Sequence, residues 1–122
     1  MTFTTINYKY NGLEEAQALT DIVDSKLEAF AKYLNEETDV RCDVEFEKVA
    51  PQQNGQVHRV EVNLMLDGTL YRAEATEESF EKAVDEVRDE LDKSLRRAKG
   101  KQEALDKQAG REAKEQMLGA TE

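Results

Sequence analysis

Val60-Glu61-Val62-Asn63-Leu64-Met65-Leu66-Asp67-Gly68-Thr69-Leu70-Tyr71-Arg72-Ala73-Glu74-Ala75 is the stretch from which the fold can be read. Up to Leu66 the apolar residues fall on every second position, Val60, Val62, Leu64 and Leu66, which is the mark of a strand with one buried face. Asp67-Gly68 then supplies two residues that tolerate the positive φ of a type I′ turn, so Thr69 to about Ala75 is expected as the next strand, directly after it.

Upstream, Val40, Cys42, Val44 and Phe46 alternate with Arg41, Asp43, Glu45 and Glu47. This predicts another half-buried strand, separated from the hairpin by a loop containing Pro51, Asn54 and Gly55. Residues 3–10 are rich in β-branched and aromatic side chains and end at the turn signal Asn11-Gly12, so they read as the first strand. Between the two lies a different period. Ala16, Leu19, Val23, Leu27, Phe30 and Leu34 recur every three or four residues and predict a helix from Leu13 to about Leu34.

Downstream, Phe80, Val84, Val87, Leu91 and Leu95 predict a second long helix reaching at least Ala98, with Thr76 as N-cap and Glu77, Glu78 and Glu81 near its positive end. Beyond Gly100 only Leu105, Ala109, Ala113 and Met117 suggest a stripe. Residues 102–122 are expected to be a polar tail, frayed helix or disordered, after a domain spanning residues 1–101. The order β-α-β-β-β-α implies an α+β fold: a four-stranded mixed sheet with a parallel first pair and both helices packed on one face. The other face, carrying Arg41, Glu45, Arg59 and Glu61, is expected to be solvated.

A chain of 122 residues holds one ordinary domain. With 39% apolar residues, no Trp and 36% charged residues, its core should be modest and its surface ionic. No apolar run approaches the roughly 20 residues that span a bilayer. Met1-Thr2-Phe3-Thr4 also lacks the basic-then-apolar order of a secretory signal, so a cytoplasmic protein without membrane contact is expected. A single Cys and a single His exclude an internal disulfide and a zinc site of the usual four ligands.

Cys42, in register with Val40 and Val44, reads as core, and His58 as a surface residue at a strand start. The acid pairs Glu36-Glu37 and Glu77-Glu78 read as solvated surface, and Tyr8, Tyr10 and Tyr71 as core or rim. Glu28 with Lys32 and Asp89 with Lys93 have the i,i+4 spacing of ordinary helix support. No catalytic residue, metal site, cofactor or small-molecule substrate is expected.

The net charge of −10 is opposite to that of a typical nucleic-acid binder, but its distribution is uneven. Residues 1–76 hold 7 basic and 14 acidic side chains, whereas residues 93–101 hold 5 basic and none acidic. Two readings fit that window. Cations at the end of a helix complement its macrodipole whatever the protein does. The same cations could instead neutralise nucleic-acid phosphates, releasing condensed counterions.

Phe80-Glu81-Lys82-Ala83-Val84-Asp85 followed by Leu91-Asp92-Lys93-Ser94-Leu95-Arg96-Arg97, within this element order, resembles the ribosome hibernation-promoting factor and ribosome-associated inhibitor family in its short, single-domain form. Lys26-Leu27-Glu28, Val60-Glu61-Val62 and Leu70-Tyr71-Arg72-Ala73-Glu74 agree further. The resemblance spans residues 1 to about 101. It implies a factor, monomeric off the ribosome, that occupies the decoding region of the small ribosomal subunit. There it would contact ribosomal RNA, exclude messenger and transfer RNA, and silence idle ribosomes in stress and stationary phase. By position the resemblance assigns RNA contact to Lys26, Lys93, Arg96, Arg97 and Lys99; Lys32 and Lys101 join them by proximity.

Ala29 and Glu90 stand where family members often carry basic residues. They imply binding that is weaker or more salt-sensitive, or an acidic surface suited to a saline cytoplasm. The alternative function is an acidic protein-protein interaction module that does not bind ribosomes.

Overall fold

A computed structural model describes residues 5–49 and 56–119, with side chains through residue 113. Positions 3 and 4 of the expected first strand, the Pro51-containing loop and Met117's side chain lie outside what is described. Strand β1 (Ile6–Asn11) is followed by helix α1 (Gln17–Leu27), a 3-10 segment (Glu28–Tyr33), strands β2 (Val40–Lys48), β3 (His58–Leu66) and β4 (Thr69–Glu77), and helix α2 (Phe80–Gly119). The sheet order is β1-β2-β3-β4. β1 runs parallel to β2, and the other pairs are antiparallel.

The hairpin turn takes the expected form, with φ of +48° at Asp67 and +83° at Gly68. Its register pairs Leu66 with Thr69 and Val60 with Ala75. Asp67 also ties the turn to the entry of β2: its N–H donates to the Asp39 carbonyl and its carboxylate accepts from the Asp39 N–H, both at 2.8 Å. At the end of β1 a left-handed turn is needed, and Gly12 makes it at φ +78°, where a Cβ would come within 3.1 Å of the Lys48 carbonyl oxygen.

Both helices cover one face of the sheet. Val23, Leu27 and Phe30 meet Cys42, Val44 and Phe46 of β2, Val60, Val62 and Leu64 of β3, and Ala83, Val84, Val87, Leu91 and Leu95 of α2, all fully buried. Phe46 sits among aromatic rings, stacked on Tyr10 at 5.4 Å and meeting Phe80 edge-on at 5.5 Å. His58 is half-buried rather than free at the surface, because its ring packs edge-on against Phe80 at 4.8 Å. Burial of the Cys42 thiol pushes its pKa up to about 12, which removes it as a nucleophile at neutral pH.

Three local boundaries differ from the sequence reading. The first helix begins at Gln17, not Leu13, and its last stretch tightens into the 3-10 form. At three residues per turn Leu27, Phe30 and Tyr33 line up on one edge, so the tighter winding points all three inward. The N-cap of α2 is not Thr76, which belongs to β4. Ser79 takes that place: its hydroxyl accepts from the Lys82 N–H at 3.2 Å and its carbonyl from the Ala83 N–H at 3.1 Å. Finally, α2 continues as one helix to Gly119, through residues expected to be frayed or disordered.

The open sheet face carries a lattice of charges. Arg59, its side chain only 18% exposed, reaches Glu45, Glu47, Glu61 and Glu74, while Arg72 pairs with Glu61 at 2.6 Å. Burial pushes the Glu61 carboxyl up, but hydrogen bonds from Arg72 and Arg59 outweigh it and hold the group below its usual range. The column Glu45–Glu61–Glu74, one residue on each of three neighbouring strands, would repel itself without these two guanidinium groups. These cations are committed to the sheet.

Candidate nucleic-acid interface

The seven basic residues singled out in the sequence lie on the α1, 3-10 and α2 layer, opposite that lattice. Packing of Leu91 and Leu95 into the core fixes the rotation of α2. At about 100° per residue, Lys93 and Arg97 then point away from the sheet, and Arg96 and Lys99 lie on the flank that faces the 3-10 segment. Lys93, Arg96 and Arg97 together line one shallow depression. Lys99 and Lys32 line a second groove of about 470 Å³ with Tyr33, Tyr71, Leu95 and Gln102 among its walls. Lys101 is exposed but leaves α2 on the side opposite Lys99, so proximity in sequence does not bring it into that groove.

Carboxylates of α2 hold three of the seven. Lys26 reaches across from α1 to Asp85 at 2.8 Å, joining the two helices. That Asp85 oxygen is shut off from solvent and accepts no well-aligned hydrogen bond, so Lys26, with Arg88 at 3.7 Å, balances its charge by Coulomb attraction. Further along, Asp92 gathers Tyr33, which donates at 2.8 Å, Arg96 at 3.0 Å and Lys32 at 3.8 Å. The Tyr33 hydrogen bond, then the charges of Arg96 and Lys32, hold the Asp92 carboxyl below its usual range against the opposing effect of burial. Lys32 also stands 5.2 Å over the Tyr33 ring.

Strength separates these ties. The side chains of Lys32 and Arg96 are 60% and 65% exposed, and such surface pairs are worth about 0–1 kcal/mol. A phosphate can displace them at little cost. Lys26, at 30% exposed and in close contact, is held more firmly and serves α1–α2 cohesion first. Among the described residues Lys93, Arg97, Lys99 and Lys101 have no carboxylate within ion-pair distance; Asp89, spaced to support Lys93, pairs with Arg88 at 3.0 Å instead. Sequence reasoning missed the clamp formed by Asp92 and Tyr33, 59 residues apart and without a local signature, and the place of Arg88 between Asp85 and Asp89, which the i,i+3 spacing of Asp85 and Arg88 could have signalled.

The continuation of α2 bears on the two readings of the basic window. The last turn of α2 contains no basic residue, and residues 93–101 lie in mid-helix. The macrodipole acts within the terminal turn, so it does not account for these five cations. Among the described residues no group of His, Cys, Asp and Glu is arranged to hold a metal, and no helix is long and apolar enough to cross a membrane.

Solved structures with this fold include the N-terminal domain of Thermus thermophilus Protein Y. It is 24% identical with a TM-score of 0.64, the match covering 77% of this chain and 98% of that one. A ribosomal subunit interface protein from Coxiella burnetii is 19% identical with a TM-score of 0.62, over 78% of this chain and 97% of that one. No curated protein sequence matches the chain. The family model described as Sigma 54 modulation protein / S30EA ribosomal protein matches residues 6–103, which take in α1, the whole sheet, α2 as far as residue 103 and all seven basic residues. The chain belongs to that family.

Proposed function

We propose that this protein is a ribosome-associated translation inhibitor of the hibernation type, which binds the decoding region of the small ribosomal subunit and blocks messenger and transfer RNA by occupying their path. The observation that carries this reading is the mid-helix window 93–101, with five cations and no acidic residue of its own, at positions the helix dipole does not explain, in a chain of the S30EA family. The fold it shares with a protein titled as a ribosomal subunit interface protein supports the same partner. Lys93, Arg97, Lys99 and Lys101 meet phosphates directly. Lys32 and Arg96 exchange Asp92 for phosphate on docking, and Lys26 contributes from the α1 edge. The protein acts by occupancy in the cytoplasm, as a monomer, with residues 1–101 as the binding domain, and catalyses nothing.

Co-sedimentation with purified small ribosomal subunits tests this. Arg96→Glu combined with Arg97→Glu reverses two exposed charges without touching the core. The double variant should lose association at low salt while keeping its far-ultraviolet circular dichroism. Undiminished binding would overturn the site, and a protein partner that survives ribonuclease would point to the protein-binding alternative.

A further inference from the structure

The cationic face of α2 does not stop where the family match ends at residue 103. With α2 unbroken to Gly119, Lys107 and Arg111 can be placed on the same helical wheel as Lys93 and Arg97. Rotation of about 100° per residue brings all four within roughly 40° of one direction, the one facing away from the sheet. Gly100 and Ala104 occupy that face between the two cation pairs, and nothing larger interrupts it. Ala104, Lys107, Gln108 and Arg111 line a shallow depression of their own, as Lys93, Arg96 and Arg97 do one stretch earlier.

By the same rotation Glu103, Asp106 and Glu112 lie off that face. Asp106 accepts from Gln102 at 3.0 Å and Glu112 from Gln108 at 3.2 Å, both i,i+4 hydrogen bonds. Among the described residues neither Lys107 nor Arg111 has a carboxylate within ion-pair distance, and both are exposed. No core contact requires a lysine or arginine here. A row of cations on one helical face, unpaired among the described residues, suits a ligand of repeated negative charge.

We propose that the α2 extension is a second phosphate-binding element, which carries the track begun by Lys93 and Arg97 along an RNA backbone to Lys107 and Arg111. The track is about 27 Å long, at 1.5 Å per residue. The inference rests on the ribosome-binding reading and adds an RNA contact outside the domain that carries the family match.

The test is equilibrium binding of the full chain to purified small subunits over a series of potassium chloride concentrations. The variant is Lys107→Gln with Arg111→Gln, which keeps good helix formers at both positions; Lys9→Gln on the opposite sheet face is the control. Each phosphate contact adds about 0.7–0.9 to the slope of log K against log salt. The double variant should therefore flatten that slope by roughly 1.4–1.8 and weaken binding at low salt, with its helical circular dichroism and the Lys9→Gln slope unchanged. An unaltered slope in a double variant that binds like the parent overturns the extension's role and leaves the ribosome-binding reading standing. A parent chain that does not bind small subunits at low salt overturns both.

Discussion

Asp92 is where the structure adds most to a residue-by-residue reading. Its carboxylate stands between two cations assigned to RNA by the sequence reading, Lys32 and Arg96. In the fold it is the acceptor around which Tyr33, Lys32 and Arg96 are arranged. Asp92→Asn should therefore act in two ways. Since the folded-state pKa of Asp92 is lowered, the group contributes stability above its unfolded pKa of about 3.9, and that contribution is lost as pH falls through the lower folded value. The variant should be less stable than the parent at neutral pH, with the difference closing in acid, as measured by urea denaturation across pH. Freed from their competitor, Lys32 and Arg96 should bind small subunits more tightly at low salt, by up to roughly fivefold, the equivalent of ~1 kcal/mol for such an exposed pair. The placement of the seven basic residues on the helices was legible from sequence, except that Lys101 leaves α2 on the side opposite Lys99. Their partners were not, because Lys26–Asp85 and Lys32–Asp92 form only once two helices distant in the chain have docked.

At the scale of elements, strands were legible because each buries one face and alternates cleanly, as Cys42, Val44 and Phe46 do in β2. The hairpin was legible because Asp67-Gly68 has a local backbone requirement that few other residue pairs meet. Helix ends were less so. The 3-10 segment depends on bringing Phe30 and Tyr33 onto the edge of Leu27, a packing demand that a 3.6-residue period does not reveal. The far end of α2 was obscured by Gly100 and Gly110, which cost about 1 kcal/mol each relative to Ala in a helix. A Cβ at either glycine would meet nothing within 4 Å, so substitution brings no clash. Gly100→Ala should stabilise the extension by about 1 kcal/mol, read as slower hydrogen exchange of the amides at residues 101–113. Exchange at the parent's rate would contradict a continuous helix through this point.

Across the whole molecule, the net charge of −10 is unevenly spread: residues 93–101 hold 5 basic and no acidic side chains, whereas the four strands hold 5 basic and 6 acidic ones. The sheet's cations are spent on its own carboxylates through Arg59 and Arg72, while the helical layer keeps Lys93, Arg97, Lys99 and Lys101 unpaired among the described residues. At physiological salt, charges more than about 8 Å apart are largely screened, so acids elsewhere on the chain do little to oppose a phosphate beside this window. Composition alone conceals this, since it sums over the whole chain. The most direct test of the account is hydroxyl-radical footprinting of ribosomal RNA in small subunits saturated with the protein. Protection of the RNA backbone lining the decoding region, absent with the Arg96→Glu, Arg97→Glu double variant, is the predicted result; an unchanged cleavage pattern there, with the protein demonstrably bound, would contradict it.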